Sequence, residues 1–469
     1  MKITITDPVY SFLSGDFSKA FPLFEYTKET RVPATLDGKE ISRATAIALQ
    51  KSSNGKAKLL SKKKLISQNM INKKGILYTG FVPRLIKAFP DIDVEQFGDR
   101  IPSICSPSLK GIILRQDQTH LLNSAIDTGR GVVLSPTGSG KTVVAGSFIS
   151  CYTNSKVLFL CHSLSIINQT KSEFKKFGFK KVGVLGGGST CTWEDRIILS
   201  TIQSFIKLNP KKYKDKFDIV IVDECHHINN EKSQYAKVLK NLFAPRRLGF
   251  TATLPSTKYS KLVLEGLIGP VIGELTVEEG IKMEILAKPI IKMIPVTYSN
   301  FIGELKLYKD IYREGVVQNK TRNRLILIKA IDRIRRENKS VLVMVKEIAH
   351  GEVLVEMAKE LFDYDLTFVR GSTDGKTREE VRTALDEKGI KGVIATAVWR
   401  EGINVRSLDT IINACGGRSE IMTIQAIGRG LRLADGKTEV EIIDFLDRYK
   451  YLAQHCVERM SIYADKRWL

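Results

Sequence analysis

Val132-Val133-Leu134-Ser135-Pro136-Thr137-Gly138-Ser139-Gly140-Lys141-Thr142 runs from a β-branched apolar stretch, through a short glycine-containing loop, into an amphipathic segment. Strand, loop and helix in that order make a phosphate-binding loop. Gly138 and Gly140 let the backbone curl, so that the N–H groups of Thr137 to Gly140 turn toward phosphate oxygens at a helix N-terminus. Lys141 supplies a point charge for the β- and γ-phosphates, and the Thr142 hydroxyl is a Mg2+ ligand. Ser135 stands where the general pattern has its first glycine.

Outward from this loop, short apolar runs alternate with helix-length segments from about residue 112, the pattern of a parallel α/β fold. Buried strands are expected at Gly131–Leu134, Val157–Cys161, Arg196–Ser200, Ile219–Val222 and Leu248–Thr251. A second series is expected at Val341–Val345, Leu366–Val369, Gly392–Ala395, Thr410–Asn413 and Val440–Ile443. Between them, residues 254–299 are punctuated by glycine and proline, which places the junction of two such domains there. Residues 1–105 lack the βα rhythm and read as a separate small, basic α+β domain. The expected division is 1–105, 106–284 and 285–469.

Asp223 and Glu224 follow the apolar run Ile219-Val220-Ile221-Val222. Two carboxylates at the end of a buried parallel strand are costly unless they serve a cation or a proton transfer. Asp223 is expected to hold Mg2+, and Glu224 to orient and deprotonate the attacking water.

The chain of 469 residues carries 73 Lys and Arg against 51 Asp and Glu, a net charge of +22, which points to a polyanionic partner. The excess is uneven: from Ile41 to Pro90 there is no acid, while Lys62, Lys63, Lys64 and several other bases fall there. A solvated basic face is the plain reading of such a run; nucleic acid is the better one. Seven cysteines (105, 151, 161, 191, 225, 415 and 456) are scattered with no Cys-x-x-Cys pair and read as small buried hydrophobes. Cys225-His226-His227 has no second ligand pair at a zinc-site spacing. No run approaches a signal peptide or the roughly 20 apolar residues of a membrane span, so a soluble intracellular protein is expected, without a membrane or an obligate protein partner.

With the phosphate loop and Asp223-Glu224-Cys225-His226 in place, the chain resembles a superfamily 2 helicase with a DECH form of the DEAD/DEAH box. The resemblance implies two RecA-like parallel-sheet domains in tandem, with ATP and Mg2+ as cofactors. Leu114-Arg115-Gln116-Asp117-Gln118 resembles the segment that reads adenine, with Gln118 as the base contact and Arg115 nearby. Gly249-Phe250-Thr251-Ala252-Thr253 matches the motif linking hydrolysis to domain movement, with His226 as the partner of Thr251 and Thr253. Thr201 and Gln203 lie in a segment that resembles a nucleic-acid backbone contact, and Thr396 opens a second such segment running to Asn404. Cys161-His162-Ser163-Leu164 sits where an earlier backbone-contact motif belongs, in an unusual form that assigns no individual contact.

Gln425-Ala426-Ile427-Gly428-Arg429-Gly430-Leu431-Arg432 matches the family's QxxGRxxR helix. By that resemblance Gln425, Arg429 and Arg432 belong to the catalytic set. The two arginines, three apart on one helical face, would point across the domain gap at the transferring phosphate. Within the superfamily, the chain is most similar to the phage UvsW-type branch-migration helicases and their XPB-like relatives. That likeness rests on Leu114-Arg115-x-x-Gln118, Asn319-x-x-Arg322-Asn323, Glu401-Gly402-Ile403-Asn404 and the tail Arg418-Ser419 leading into Gln425.

The function this implies is an ATP-driven DNA helicase or translocase working on branched DNA such as forks and Holliday junctions. An RNA helicase, a duplex translocase that does not separate strands, and a binding scaffold with a degenerate ATPase are the competing readings.

Overall fold

A computed structural model of the chain describes residues 1–34, 60–96, 106–189, 191–298, 301–396, 405, 407–417, 430–431 and 437–469. The N-terminal region contributes β1 (Lys2–Ile5), β2 (Tyr10–Ser14), β3 (Glu25–Ala34), β4 (Leu60–Asn69), β5 (Ile76–Tyr78) and β6 (Asp93–Gln96). Four of these form a mixed sheet in the order β5-β2-β1-β6, while among the described residues β3 and β4 pair only with each other, over ten residues. At about 3.3 Å per residue that ribbon is roughly 33 Å long.

Next come β7 (Arg130–Leu134), β8 (Val157–Cys161), β9 (Val182–Leu185), β10 (Ile197–Thr201), β11 (Ile219–Asp223), β12 (Arg246–Thr251) and β13 (Val271–Glu274). They make a parallel sheet ordered β13-β7-β12-β11-β8-β10-β9. Successive side chains alternate between two apolar clusters. Leu158, Leu160, Val220 and Val222 face one, and Val157, Phe159, Ile219 and Ile221 face the other. Burial on both faces is why these strands read as unbroken apolar runs.

A second parallel sheet holds β14 (Lys288–Pro295), β15 (Val341–Met344), β16 (Thr367–Val369), β17 (Gly392–Ala395), β18 (Thr410–Asn413) and β19 (Glu439–Leu446), ordered β14-β19-β18-β15-β17-β16. Here Leu342 and Met344 face one cluster while Val341 and Val343 face the other.

All ten expected strands are present. Among the described residues of the two parallel sheets, the three strands that the pattern missed, β9, β13 and β14, lie at sheet edges. Pro289 and Pro295 in β14 are tolerated there because an edge strand has one unpaired side. Both β13 and β14 fall inside the expected junction. The chain passes from one domain to the other between Glu274, in the first sheet, and Val277, which packs on the core of the second.

The small α+β unit has its own sheet, but its core is not separate. Ile3, Leu13, Phe24, Phe81 and Leu85 belong to the same apolar cluster as Leu158, Val220 and Leu264 of the first parallel-sheet domain. The Arg84 guanidinium forms a two-point ion pair with Glu265, and Arg130 donates to the Pro8 carbonyl at 3.2 Å.

Candidate functional site

Parallel strands expose their C-terminal ends along one sheet edge, where loops can converge on a ligand. In the first sheet, that edge carries the phosphate loop after β7, His162 after β8, Thr201 closing β10, Asp223 closing β11 and Thr251 closing β12.

The loop leads into the helix Lys141–Ser150. Gly138 and Gly140 have φ of +92° and +93°, in the left-handed region that a side chain resists. The Ser135 and Ser139 hydroxyls bond each other, and Ser139 also donates to the Pro136 carbonyl at 2.8 Å. This clasp across the loop accounts for a serine in place of the usual first glycine. The Lys141 amine donates to the carbonyls of Ser135 (3.1 Å) and Pro136 (3.2 Å). Arg115 and Gln118 both reach the loop: each donates to the Ser139 carbonyl, and Arg115 also pairs with Asp117. Thr142 and Thr137 are half-buried on the same rim.

Asp223 and Glu224 face Lys141. Burial raises the Asp223 carboxyl above its ordinary value, and the Glu224 charge adds to this while Lys141 opposes it. Burial acts the same way on Glu224, but the His226 ring 3.3 Å away and the Lys141 charge outweigh it, so Glu224 is held below the usual carboxylate range. The pair therefore retains negative charge beside the phosphate loop. Glu224 also has φ of +50°, a strained backbone for a residue with a side chain.

His226 Nδ1 lies 3.0 Å from the Thr251 hydroxyl and 3.3 Å from Glu224 Oε2. The Thr251 hydroxyl donates its own proton to the Thr253 carbonyl at 2.9 Å, so it must accept from His226, and Nδ1 carries the ring proton. Thr253 is buried beside it. Gly249, two residues before Thr251, leaves room for Cys225, whose sulfur would lie 2.8 Å from an added Cβ. Cys225 is thus a packed core residue.

The remaining expected residues distribute unevenly. Thr201 is buried as a helix N-cap, its hydroxyl accepting from the Ser204 N–H at 3.2 Å, and Gln203 is the exposed side chain beside it. Thr396 is buried just past β17. Lys62, Lys63 and Lys64 lie in β4, in register with Val32, Arg31 and Thr30 of β3. Gln425, Arg429 and Arg432, together with residues 397–404, lie outside the described residues.

Sequence reasoning missed the part played by His162 and His227. Their rings lie 4.8 Å apart, His227 lies 4.3 Å from His226, and the His162 charge acts on both carboxylates. Adjacent histidines gave no signal beyond the rejected metal cluster. Asn319-x-x-Arg322-Asn323 is also explained. Asn319 caps the helix Lys320–Arg335, Arg322 is buried against Asp447 at 3.1 Å, and Asn323 meets His350 at 3.0 Å.

The family described as "Type III restriction enzyme, res subunit" matches residues 111–256, and "Helicase conserved C-terminal domain" matches residues 323–434. The chain belongs to the superfamily 2 helicases. It is therefore an ATP-hydrolysing helicase built on two RecA-like domains. Among its relatives is "ATP-dependent DNA helicase uvsW" of Enterobacteria phage T4, 23% identical over 72% of this chain and 72% of that one. "DNA 3'-5' translocase XPB2" of Sulfurisphaera tokodaii is 27% identical over 74% of this chain and 85% of that one. The fold is shared with a fragment of an HsdR subunit of a type I restriction enzyme from Vibrio vulnificus, at TM-score 0.58 and 19% identity, covering 86% of this chain and 77% of that one.

Proposed function

We propose that this helicase is a DNA motor that uses ATP to remodel branched DNA, moving 3′ to 5′ along one strand. The observation that carries the reading is the convergence on one sheet edge of Lys141, the Asp223–Glu224 pair and the His226–Thr251 bond, in a chain of net charge +22. The names of the phage and archaeal relatives support DNA over RNA.

The site fits ATP and Mg2+. Two left-handed glycines shape the loop, Lys141 faces it, and Asp223 with the Thr142 hydroxyl offers the hard oxygen donors that Mg2+ takes. When bound, Mg2+ neutralises charge on the β- and γ-phosphates. Lys141 and the first-turn N–H groups of the helix Lys141–Ser150 hold the phosphates. Gln118 and Arg115 set the loop and meet the base. Glu224, ionised and aimed by His226, positions the attacking water and accepts its proton. The His226–Thr251–Thr253 chain carries the change in the site to the segment that follows β12. Arg429 and Arg432 act from the second domain.

DNA is held by Gln203, Thr396 and the surrounding strand-end loops, with phosphates gripped along the ribbon of β3 and β4 by Lys62, Lys63 and Lys64. Phosphate contacts are independent of sequence, which suits a motor that meets any junction. Thr201 contributes through its helix cap.

Strand separation measured on forked DNA, four-way DNA, linear duplex, single strand and RNA duplex tests this. Branched DNA is expected to be the best substrate. Equal or better activity on RNA, or triplex displacement without strand separation, would replace the reading with an RNA helicase or a duplex translocase.

A further inference from the structure

The segment between His227 and Tyr235 ties the carboxylate loop to the N-terminal unit. On one side, His226 bonds Thr251 and lies 3.3 Å from the Glu224 carboxylate, and His227 packs on His226. Four residues on, Glu231 accepts a hydrogen bond from the Tyr78 hydroxyl in β5, and its own backbone N–H donates to the Tyr259 hydroxyl at 3.2 Å. Lys240 sits 3.2 Å from the same carboxylate. Ser260 donates to the Asn229 carbonyl at 2.7 Å, so the segment is held at two points by one helix, Lys258–Leu267.

Tyr259 turns its ring against Tyr26, with centroids 4.7 Å apart. Tyr26 stands at the root of β3 and bonds across the ribbon to Gln68 of β4 at 2.9 Å. A line of contacts therefore runs from the base of the ribbon through Tyr26 and Tyr259 to Glu231, and four residues of backbone join Glu231 to His227 beside the carboxylates.

A purely adhesive interface would not need this line. The shared apolar cluster and the Arg84–Glu265 pair already bind the N-terminal unit to the first parallel-sheet domain. The Tyr259 and Tyr78 hydroxyls instead hold a backbone amide and a side chain of the short segment after the carboxylates. A small shift at Tyr26 changes where that segment lies, and packed side chains pass such a shift on because they cannot deform smoothly.

We propose that Tyr26, Tyr259 and Glu231 are positioning residues through which DNA held by the ribbon sets the rate of ATP turnover at the carboxylate site. The inference rests on the proposed reading of the ribbon as a DNA grip and adds its regulation of the motor.

The test is steady-state ATP turnover by the full chain, with and without saturating forked DNA, alongside KM for ATP, DNA affinity and Tm. Tyr259→Ala is expected to lower DNA-stimulated kcat about fivefold or more, the lower range of coupling between sites. DNA-free turnover, KM and DNA affinity should stay within about twofold, since the groups that hold ATP and DNA are themselves unaltered. Tyr259→Phe, which keeps the ring on Tyr26 and removes only the hydroxyl, should show a smaller loss of the same kind, and it carries the test if the alanine variant does not fold. Tyr26→Ala should lower stimulation as Tyr259→Ala does, and the double variant should be no worse than either alone.

Stimulation retained in both Tyr259 variants overturns the coupling. So does a parallel fall of DNA-free and stimulated turnover with Tm, which marks a structural role only. Failure of DNA to stimulate the unaltered chain overturns the proposed function itself, and the coupling with it.

Discussion

The His226 ring donates from Nδ1 to the Thr251 hydroxyl, joining the end of β11 to the end of β12 beside Glu224. The same ring nitrogen thus lies beside both the group proposed to activate water, at 3.3 Å, and the segment proposed to move, at 3.0 Å. His226→Ala is expected to uncouple them. Strand separation should fall further than ATP turnover, by a factor within the roughly 5–150-fold range of measured site coupling. Equal losses of both activities would make His226 a simple support for Glu224.

Glu224→Gln keeps the size of the side chain and removes the base. Turnover is expected to fall by at least about 100-fold, the low end for a positioned general base, with nucleotide affinity little changed. Nucleotide titration beside turnover checks this; a matching loss of affinity would assign Glu224 to metal or structure instead.

Arg322 and Asp447 are buried completely and paired at 3.1 Å in the second parallel-sheet domain. Arg322→Ala removes the nearest cation from the buried Asp447, leaving it Arg459 at 3.6 Å and the Tyr298 hydroxyl, and is expected to cost up to about 3–5 kcal/mol of stability. Denaturant unfolding of this variant reads the loss directly, and a change below about 1 kcal/mol, the worth of a surface pair, would contradict the burial described.

The contrast between Arg322 and the strands shows what was legible in advance. Central strands announce themselves because burial on both faces leaves no polar position, as in Val157-Leu158-Phe159-Leu160-Cys161. Edge strands carry prolines or glycines, as at Pro289 and Gly273, and resemble loops. The phosphate loop and carboxylates were legible because their chemistry demands particular residues in order. The His226–Thr251 bond was legible only by resemblance. The cap made by Thr201, the buried state of Arg322 and the Tyr26–Tyr259 contact were not, since a threonine, arginine or tyrosine looks the same in sequence whether it meets a ligand or its own fold.

Lys62, Lys63 and Lys64 lie along one strand of the basic ribbon, Lys63 in register with Arg31. The triple alanine variant is expected to weaken DNA binding uniformly across sequences. It should also flatten the log–log salt dependence by about one unit for each phosphate that is no longer neutralised. An unchanged affinity and slope in a salt titration would make these lysines a solubility surface.

A nucleic-acid-driven ATPase centred on the phosphate loop is tested most directly by ATP turnover with and without DNA in the unaltered chain and in Lys141→Ala. Turnover by the unaltered chain is expected to rise at least about tenfold with DNA, a barrier change of about 1.4 kcal/mol. In a folded Lys141→Ala protein that still binds DNA, turnover should be abolished. Near-normal hydrolysis by Lys141→Ala, or turnover in the unaltered chain that DNA does not change, would contradict it.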